Sequence, residues 1–434
     1  MKNSKYALLI ICYLFISIAK VHSQEVNNDS IIKLADTYLT ELTKLKQLNG
    51  VFLLKKGDKL ILHKAYNLQE DTTSTLYVTK KSQFDLRSVA KLIAKDGIHK
   101  LALEKKIDLI ENVATYIPEF PKEKNITITH LLNHTSGLAR EFVNTPIPAL
   151  QMTNKDVLVY ITEQPLEFSP GTEERYSNLG FQLIYYLLGE VSNTSYAQFI
   201  RTNYFTPLQM QHSGSNFNDN KAVKNSYAFG HYLNDDKTVS CVCEFPDDDI
   251  KMGHLFSTAQ DLDYLLSSFK EGTHDHLIDN GIIMHAGGTR GKRAYVERDF
   301  NNDHQIIFLT NYDAIPFQKI VQDLQNILKG NSIVMPKIVN RKETNIEASI
   351  LKQYEGTYDL VDAGHILLTF KLIEGQLHVF QKGKDKGALS PESSTIFFDD
   401  PRSEESIEFI KDSLGNWSIL VDFQGIRFKG IKKN

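Results

Sequence analysis

The decisive stretch of the sequence is SVAKLIAKDGIHKLALE, residues 88–104. Its apolar residues cover nearly every face of the helix that it would form, a pattern typical of a helix buried on all sides. We therefore predict a central helix that begins at Ser88. Residues three positions apart lie only about 60° apart around a helix, so Ser88 and Lys91 share one face.

The Ser88–Lys91 pair is a candidate nucleophile and base. A serine hydroxyl is a weak nucleophile unless a neighbouring base takes its proton, and a lysine desolvated by an apolar helix can have its pKa lowered toward that role. Backbone N–H groups at the start of the helix could also stabilise a developing oxyanion. This spacing often arises by chance, so the pair needs support from other motifs.

Short strands are predicted on both sides of a helical middle. Two apolar runs between Val51 and Leu62 flank a polar turn, which indicates a β-hairpin. Further helices are predicted at 129–133, 179–192 and 257–269, and further strands at 282–284, 294–296 and 305–309. This order indicates an α+β domain in which one sheet is assembled from both ends of the domain.

The two ends of the chain differ from this domain in their sequence patterns. Residues 1–23 have the layout of a secretory signal, with early lysines, an apolar run and Ser23 before the expected cut. The run is shorter than the ~20 residues that span a bilayer, which disfavours a membrane anchor and leaves no transmembrane segment after cleavage. Residues 331–344 are polar and irregular, as in a linker, and 345–434 contain short alternating strands that predict a small all-β domain.

The composition excludes several classes of protein. The net charge is -4, and lysine and arginine are scattered along the chain, so the basic stripe of a nucleic-acid binder is missing. Cys241 and Cys243 are separated by one residue, which is a poor spacing for an unstrained disulfide with each other. No compact metal-ligand spacing is present, and we expect neither a metal nor another cofactor.

Tyr176-Ser177-Asn178 is a second candidate motif. In an extended segment, residues two apart point the same way, so Tyr176 and Asn178 would face one cavity while Ser177 turns inward. A tyrosine close to a lysine ammonium could be held partly as phenolate and serve as a base. The alternative is an aromatic residue packed beside a helix cap.

A third motif, His285-Ala286-Gly287-Gly288, continues the predicted strand 282–284. Its glycines would let a substrate lie against the strand backbone, and the N–H of Gly288 could be a second oxyanion donor beside that of Ser88. By itself this motif would be a strand followed by a turn.

Taken in order, the three motifs resemble the serine β-lactamase-related family, which includes class C β-lactamases, D-alanyl-D-alanine carboxypeptidases, D-aminopeptidases and some esterases. The resemblance covers about residues 30–330 and extends to the segments 103–109, 116–120, 128–138, 207–210 and 256–262. It implies a β-lactamase/transpeptidase-like domain, an antiparallel sheet with a helical subdomain, over residues 24–330. The tail from Tyr354 resembles the lipocalin-like β domain that often follows, so 345–434 should form a barrel-like fold.

The resemblance also implies a role for each motif residue. Ser88 would be acylated while Lys91 and Tyr176 shuttle its proton. Asn178, His285 and Gly287 would contact the substrate, and the backbone N–H groups of Ser88 and Gly288 would bind the oxyanion. The expected substrate is a small peptide, amide or ester, cleaved by an exported enzyme in the periplasm or outside the cell.

Three departures from the family pattern bear on this expectation. Arg87 stands where the family usually has a small residue, often glycine, and Ala286 replaces a hydroxyl residue, which disfavours β-lactam or D-Ala-D-Ala substrates. The interval from Ser257 to His285 is only 28 positions, shorter than is usual in the family. The alternative to an enzyme is therefore a catalytically weak binding or sensor protein that retains the fold.

Overall fold

The computed structural model describes residues 28–145, 152–215, 226–234, 238–243, 253–423 and 426–433. The predicted signal segment, residues 1–23, lies outside the described residues. The chain forms two compact units, Met1–Ala314 and Ile315–Asn434. Among the residues described, none of the helices combines the length and apolarity that crossing a bilayer requires.

An antiparallel sheet of five strands is the frame of the first unit. Its order is β2-β1-β9-β8-β7, so strands from the start and the end of the unit lie side by side, as predicted. The strands are β1 (Gly50–Lys56), β2 (Lys59–Tyr66), β7 (Ile282–Thr289), β8 (Lys292–Asp299) and β9 (His304–Thr310). Two-stranded pairs join β3 (Phe84–Asp85) to β6 (Phe256–Ser257) and β4 (Gly230–Leu233) to β5 (Val239–Val242).

The central strands are buried on both faces. All seven residues of β9 are buried, which explains its nearly continuous apolar sequence. Ile307 and Leu309 belong to the same core as the helix that carries the first motif. On the other face, the ring of Phe308 stacks on that of Phe52 at 5.3 Å between centroids. The sheet is therefore a rigid base for the strand β7 at its edge.

The predicted helices are present, with ends shifted by one or two residues. Within the described part of the first unit they are α1 (28–44), α2 (Ala90–Leu103), α3 (Ile128–Leu132), α4 (Asn154–Glu163), α5 (Asn178–Ser192), α6 (Tyr196–Ile200) and α7 (Ala259–Ser268). The helix α2 is buried through Leu101, but Leu103 is exposed, so its last turn departs from the prediction of burial on all sides.

The central helix packs closely against its neighbours in the helical part of the unit. A Cβ at Gly97 of α2 would lie 2.9 Å from the ring of Phe199 in α6 and 3.2 Å from Leu188 in α5. Glycine at this position therefore lets α2 approach the other two helices closely. The packing fixes the helix that follows Ser88.

The expectation that Cys241 and Cys243 do not pair is wrong. The two residues form a disulfide with a Cα–Cα distance of 5.2 Å. Residues two apart in a regular strand are about 6.6 Å apart. Both distances lie within the roughly 4.4–6.8 Å that disulfides span, so one intervening residue does not prevent the pairing.

The second unit contains a closed barrel of eight strands, which confirms the predicted all-β barrel-like fold. Neighbouring strands pair in chain order, and the first pairs with the last. The strands are β10 (Gly356–Leu360), β11 (Ile366–Ile373), β12 (Gln376–Gln381), β13 (Lys384–Pro391), β14 (Ile396–Phe398), β15 (Ser406–Lys411), β16 (Trp417–Phe423) and β17 (Ile426–Lys432). Two helices, α8 (Phe317–Lys329) and α9 (Ala348–Leu351), precede the barrel, whose core is built on Tyr354, Tyr358, Phe370, Phe397 and Phe409.

Candidate active site

Ser88 lies on a tight turn between the strand β3 and the helix α2. The turn is a single 3₁₀ turn, Arg87–Val89, and α2 begins at Ala90. Just before it, the N–H of Leu86 donates to the carbonyl of Leu255 at 2.8 Å. Both sides of the turn are thus fixed, by β-pairing before it and by a buried helix after it.

The edge strand β7 lies against this turn at Gly287. A Cβ at Gly287 would lie 2.6 Å from the carbonyl oxygen of Leu86 and 2.9 Å from the backbone nitrogen of Ser88. Glycine is therefore required for the strand to approach the nucleophile turn, whereas the sequence suggested that it opens the strand to substrate. Gly288 follows on the exposed side of the strand.

The structure brings together Ser88, Lys91 and Tyr176. The Lys91 ammonium nitrogen lies 3.1 Å from Ser88 Oγ, and the Tyr176 hydroxyl lies 2.9 Å from the same oxygen. Ser88 Oγ is therefore within hydrogen-bond distance of two groups that can exchange protons with it. Ser88 and Lys91 are three residues apart, whereas Tyr176 comes from a distant part of the chain. Tyr176 lies just before α5, and the packing of α5 against α2 brings it to Ser88.

Lys91 is almost fully buried in spite of its charge. Burial lowers its pKa to about 8, and the nearby positive charge of Arg87 adds to this effect. The rings of Tyr176 and Phe181 lie 5.2 and 5.6 Å from its nitrogen. At pH 7 about one tenth of Lys91 is then a neutral amine, against roughly one in three thousand for an ordinary lysine.

The pKa of Tyr176 is shifted in the opposite direction. Burial raises it, and the hydrogen bond to Ser88 and the charge of Arg140 offset this only in part. Tyr176 is therefore a neutral phenol near pH 7, and the phenolate that the sequence suggested is not its resting form. The group with an available lone pair for the Ser88 proton is the neutral Lys91 amine.

His134 belongs to the site, although sequence reasoning gave it no role. Its ring stacks on that of Tyr176 at 4.4 Å between centroids, and its Nδ1 accepts a hydrogen bond from the N–H of Ser177 at 3.1 Å. Burial and the charge of Lys91 lower its pKa to about 4, so it is neutral. Its signal in the sequence was its position in the 128–138 segment that carries the family resemblance.

Asn178 is the first residue of α5, two positions after Tyr176. It is part-buried, and its side-chain amide donates to the exposed Glu141 at 2.6 Å. Ser177 turns inward, where its hydroxyl donates to the carbonyl of Ala139 and accepts from the N–H of Gly180. No pattern in the sequence pointed to Glu141 or to its neighbour Arg140, whose guanidinium lies 5.1 Å from the Tyr176 ring.

His285 is part-buried on β7, on the same strand as Gly287. Its Nδ1 lies 2.9 Å from the carbonyl of Ala286 and therefore donates a proton to it. Packing around the ring lowers the pKa of His285 to about 4. It is neutral near pH 7 and does not provide the positive charge that would hold a substrate carboxylate.

Three buried side chains elsewhere in the first unit have the composition of a metal site. The ligand atoms of Glu297, Asp299 and His304 lie within 4.8 Å of one another. However, His304 hydrogen bonds to Glu297, which also accepts from Tyr295, and the Asp299 carboxylate accepts two bonds from Asn302. Most of their polar atoms are paired, although His304 Nδ1 is buried without a hydrogen-bond partner, and we interpret the three residues as a buried polar network.

Comparison with known proteins agrees with this geometry. The family model described as Beta-lactamase matches residues 35–294. Protein flp of Staphylococcus aureus (strain MRSA252) is 24% identical in an alignment 348 positions long, which covers 71% of this chain and 66% of that protein. Penicillin-binding protein 4* of Bacillus subtilis (strain 168) is 26% identical in an alignment 412 positions long, which covers 83% of this chain and 90% of the relative.

A similar fold is found among solved structures. D-amino acid amidase from Ochrobactrum anthropi SV3, solved with L-phenylalanine amide, superposes with a TM-score of 0.58 at 17% identity, over 69% of this chain and 98% of the amidase. The chain spans about two thirds of the length of the flp proteins that it matches.

Proposed function

Because the chain belongs to the β-lactamase family of serine hydrolases, we propose that it hydrolyses a small peptide, amide or ester through an acyl-enzyme on Ser88. One observation carries the proposal. Ser88 Oγ lies within hydrogen-bond distance of Lys91, a buried amine with a lowered pKa, and of the Tyr176 phenol. A nucleophile next to a base and a second proton carrier is the arrangement that acyl transfer needs.

In the proposed mechanism, the neutral Lys91 amine accepts the Ser88 proton across 3.1 Å as Oγ bonds to the substrate carbonyl carbon. The carbonyl π electrons move to oxygen and form the tetrahedral oxyanion. Tyr176 then gives its phenolic proton to the leaving nitrogen or oxygen and regains one from the Lys91 ammonium. Collapse of the oxyanion expels the leaving group, and water releases the acyl group by the same steps in reverse.

The backbone N–H groups of Ser88 and Gly288 are the proposed oxyanion donors. The close approach of Gly287 to the nucleophile turn supports this assignment, since it brings β7 alongside Ser88. Losing one such donor in other enzymes lowers kcat by about a hundred- to a thousandfold. Asn178 and Glu141 are proposed to contact the substrate amide.

The third motif favours substrates without a carboxylate near the scissile bond. His285 is neutral near pH 7, and Ala286 offers no hydroxyl. Neither side chain can therefore grip an anionic group strongly. We expect D-amino-acid amides and short-chain esters to be better substrates than β-lactams or peptides that end in D-Ala-D-Ala.

A substrate panel tests the proposal. Purified protein is assayed on D-amino-acid amides, short-chain p-nitrophenyl esters and nitrocefin, and we expect turnover of an amide or an ester with little turnover of nitrocefin. Ser88→Ala should abolish the activity, whereas Ser349→Ala, an exposed serine in the other unit, should not change it. Equal turnover by Ser88→Ala and the unaltered protein would contradict the proposal, and no turnover of any substrate by the unaltered protein would favour the alternative, a binding or sensor protein.

We also propose that the protein is exported and that its chain divides into four segments. Residues 1–23 are proposed as a cleaved signal, 24–330 as the hydrolase domain, 331–344 as a linker and 345–434 as the barrel domain. The Cys241–Cys243 disulfide supports a periplasmic or secreted location, because such bonds persist mainly in oxidising compartments. N-terminal sequencing of the exported protein should begin near residue 24, and retention of Met1 would contradict cleavage.

A further inference from the structure

A cluster of buried charged residues lies directly behind the nucleophile turn. We call it the Asp85 cluster; it comprises Asp85, Arg87, Tyr227, His254 and Lys292. Its members come from β3, the nucleophile turn, β8 and the segments that precede β4 and β6. The proposed acyl transfer uses none of these side chains, so their presence needs another explanation.

The Asp85 carboxylate is the centre of the cluster. Its side chain is fully buried, and it accepts a hydrogen bond from the backbone N–H of Arg87 at 3.0 Å. The Arg87 guanidinium lies 3.5 Å and the Lys292 ammonium 3.7 Å from its other oxygen. Burial acts to raise the pKa of Asp85, but the charges of Arg87 and Lys292 and the hydrogen bond from the Arg87 N–H lower it, so the carboxylate is ionised.

Arg87 has a backbone conformation that residues with a Cβ rarely adopt. Its φ is +49°, in the left-handed region that glycine occupies without strain. This is the position where relatives usually have a small residue. The arginine side chain contacts Asp85 and His254, whose Nε2 lies 3.3 Å from its guanidinium.

The surrounding backbone leaves room for the side chain of Lys292, the second cation beside Asp85. A Cβ at Gly230 would lie 2.9 Å from Lys292 Cγ, so this glycine creates the space that the lysine side chain fills. The Lys292 ammonium donates to the Tyr227 hydroxyl. His254 has a pKa lowered by burial to about 4 and accepts from Arg87 as a neutral ring. Arg87 is therefore held by a carboxylate and an imidazole.

We propose that Arg87 is a positioning residue for Ser88: with the buried Asp85 carboxylate as its anchor, it fixes the left-handed turn that presents the nucleophile and places a permanent positive charge beside the Ser88–Lys91 pair. This inference rests on the proposed function. A fixed cation next to Lys91 favours the neutral amine over the ammonium, which is the form that can take the Ser88 proton. The arginine thus combines a backbone role with an electrostatic one.

The effect of Arg87 on Lys91 has to be distinguished from the effects of the other groups around Lys91. The other titratable and charged groups that face Lys91 are Arg140, Glu141, Tyr176, His134, His254 and His285. The three histidines have pKa values of about 4 and stay neutral above pH 6. A change in pH dependence above pH 6 after substitution of Arg87 therefore does not come from the histidines, and direct titration of Lys91 distinguishes it from Lys292, the other buried lysine beside Arg87.

Arg87→Gly is the decisive variant. Glycine keeps the left-handed turn, and the substitution removes only the guanidinium and its contacts with Asp85 and His254. The rate of acylation by a fluorophosphonate probe is measured from pH 6 to 10. We expect the acidic limb of the profile to move up by roughly half to one pH unit, with a three- to tenfold lower rate at pH 7. Arg87→Lys retains the charge and should leave the limb in place, and the control Arg298→Met, a substitution in β8, should not change the profile.

A second readout separates this inference from the proposed function. The Lys91 ammonium is titrated by NMR in the unaltered protein and in Arg87→Gly, with Lys91→Arg to assign its signal. A midpoint that rises in Arg87→Gly supports the inference even if the probe fails to react. An unchanged midpoint and an unchanged profile would overturn the inference and leave acylation of Ser88 standing.

Discussion

At the level of single residues, the proposed activation of Ser88 depends on the pKa of Lys91. The unprotonated amine is the proposed base, and burial lowers its pKa to about 8. Activity therefore increases as the pH rises through 8 and levels off above it, with about a tenth of the maximum rate at pH 7. The pH dependence of kcat/KM on the best ester substrate checks this. A rate that is flat between pH 6 and 9 would contradict a lysine base.

Tyr176→Phe separates the phenolic proton from the aromatic packing. The ring that stacks on His134 and faces Lys91 is kept, and only the hydroxyl that lies 2.9 Å from Ser88 is lost. We expect kcat to fall by about a hundred- to ten-thousandfold. The thermal midpoint should change little, and a variant with full activity would show that Tyr176 does not carry the proton.

The sequence predicted the contacts of single residues only in part. The spacing of Ser88 and Lys91 on one helix was sufficient to predict that they meet, because helix geometry is local. The direction of the Tyr176 pKa shift and the left-handed conformation of Arg87 depend on burial and on partners from distant segments. Neither quantity can be read from neighbours in the chain.

At the level of elements, the contact between β7 and the nucleophile turn is the most sensitive feature of the site. In Gly287→Ala the new Cβ would meet backbone atoms of Leu86 and Ser88, which cannot rotate away. We expect a loss of activity of at least a hundredfold and a destabilisation of about 1–3 kcal/mol. Enzyme assays and thermal unfolding measure the two effects.

Met284→Ala is the matched control on the same strand. The Met284 side chain is exposed, and it has no part in the proposed mechanism. Activity within about threefold of the unaltered protein is expected, since exposed substitutions away from a site usually have small effects. An equal loss of activity in both variants would contradict the special role of the Gly287 contact.

Elements were predicted from the sequence more reliably than the contacts between them. The helices from 179 and from 257 and the strand from 305 follow apolar periodicities that hydrophobic burial imposes locally. The length of β7 was underestimated, because its glycines resemble a turn when their packing against Leu86 is not known. The Cys241–Cys243 disulfide was missed because one intervening residue was taken as too short a spacing, whereas the Cα–Cα distance of 5.2 Å is ordinary for a disulfide.

At the level of the whole molecule, the domain limits predict where proteases cut first. Lys337 and Lys342 are exposed in a segment without helix or strand that precedes the barrel. Unpaired exposed backbone is the preferred substrate of proteases. Brief digestion with trypsin should therefore yield a large fragment and a barrel fragment of about 90 residues. Mass spectrometry that locates the first cuts within the five-stranded sheet would contradict these limits.

The central claim is that Ser88 is the acylated residue, and labelling by a fluorophosphonate probe followed by peptide mass mapping tests it most directly. We predict one adduct per chain on the peptide that contains Ser88, no adduct in Ser88→Ala, and labelling of Ser349→Ala equal to that of the unaltered protein. An adduct on another residue, or none on intact folded protein, would contradict the account.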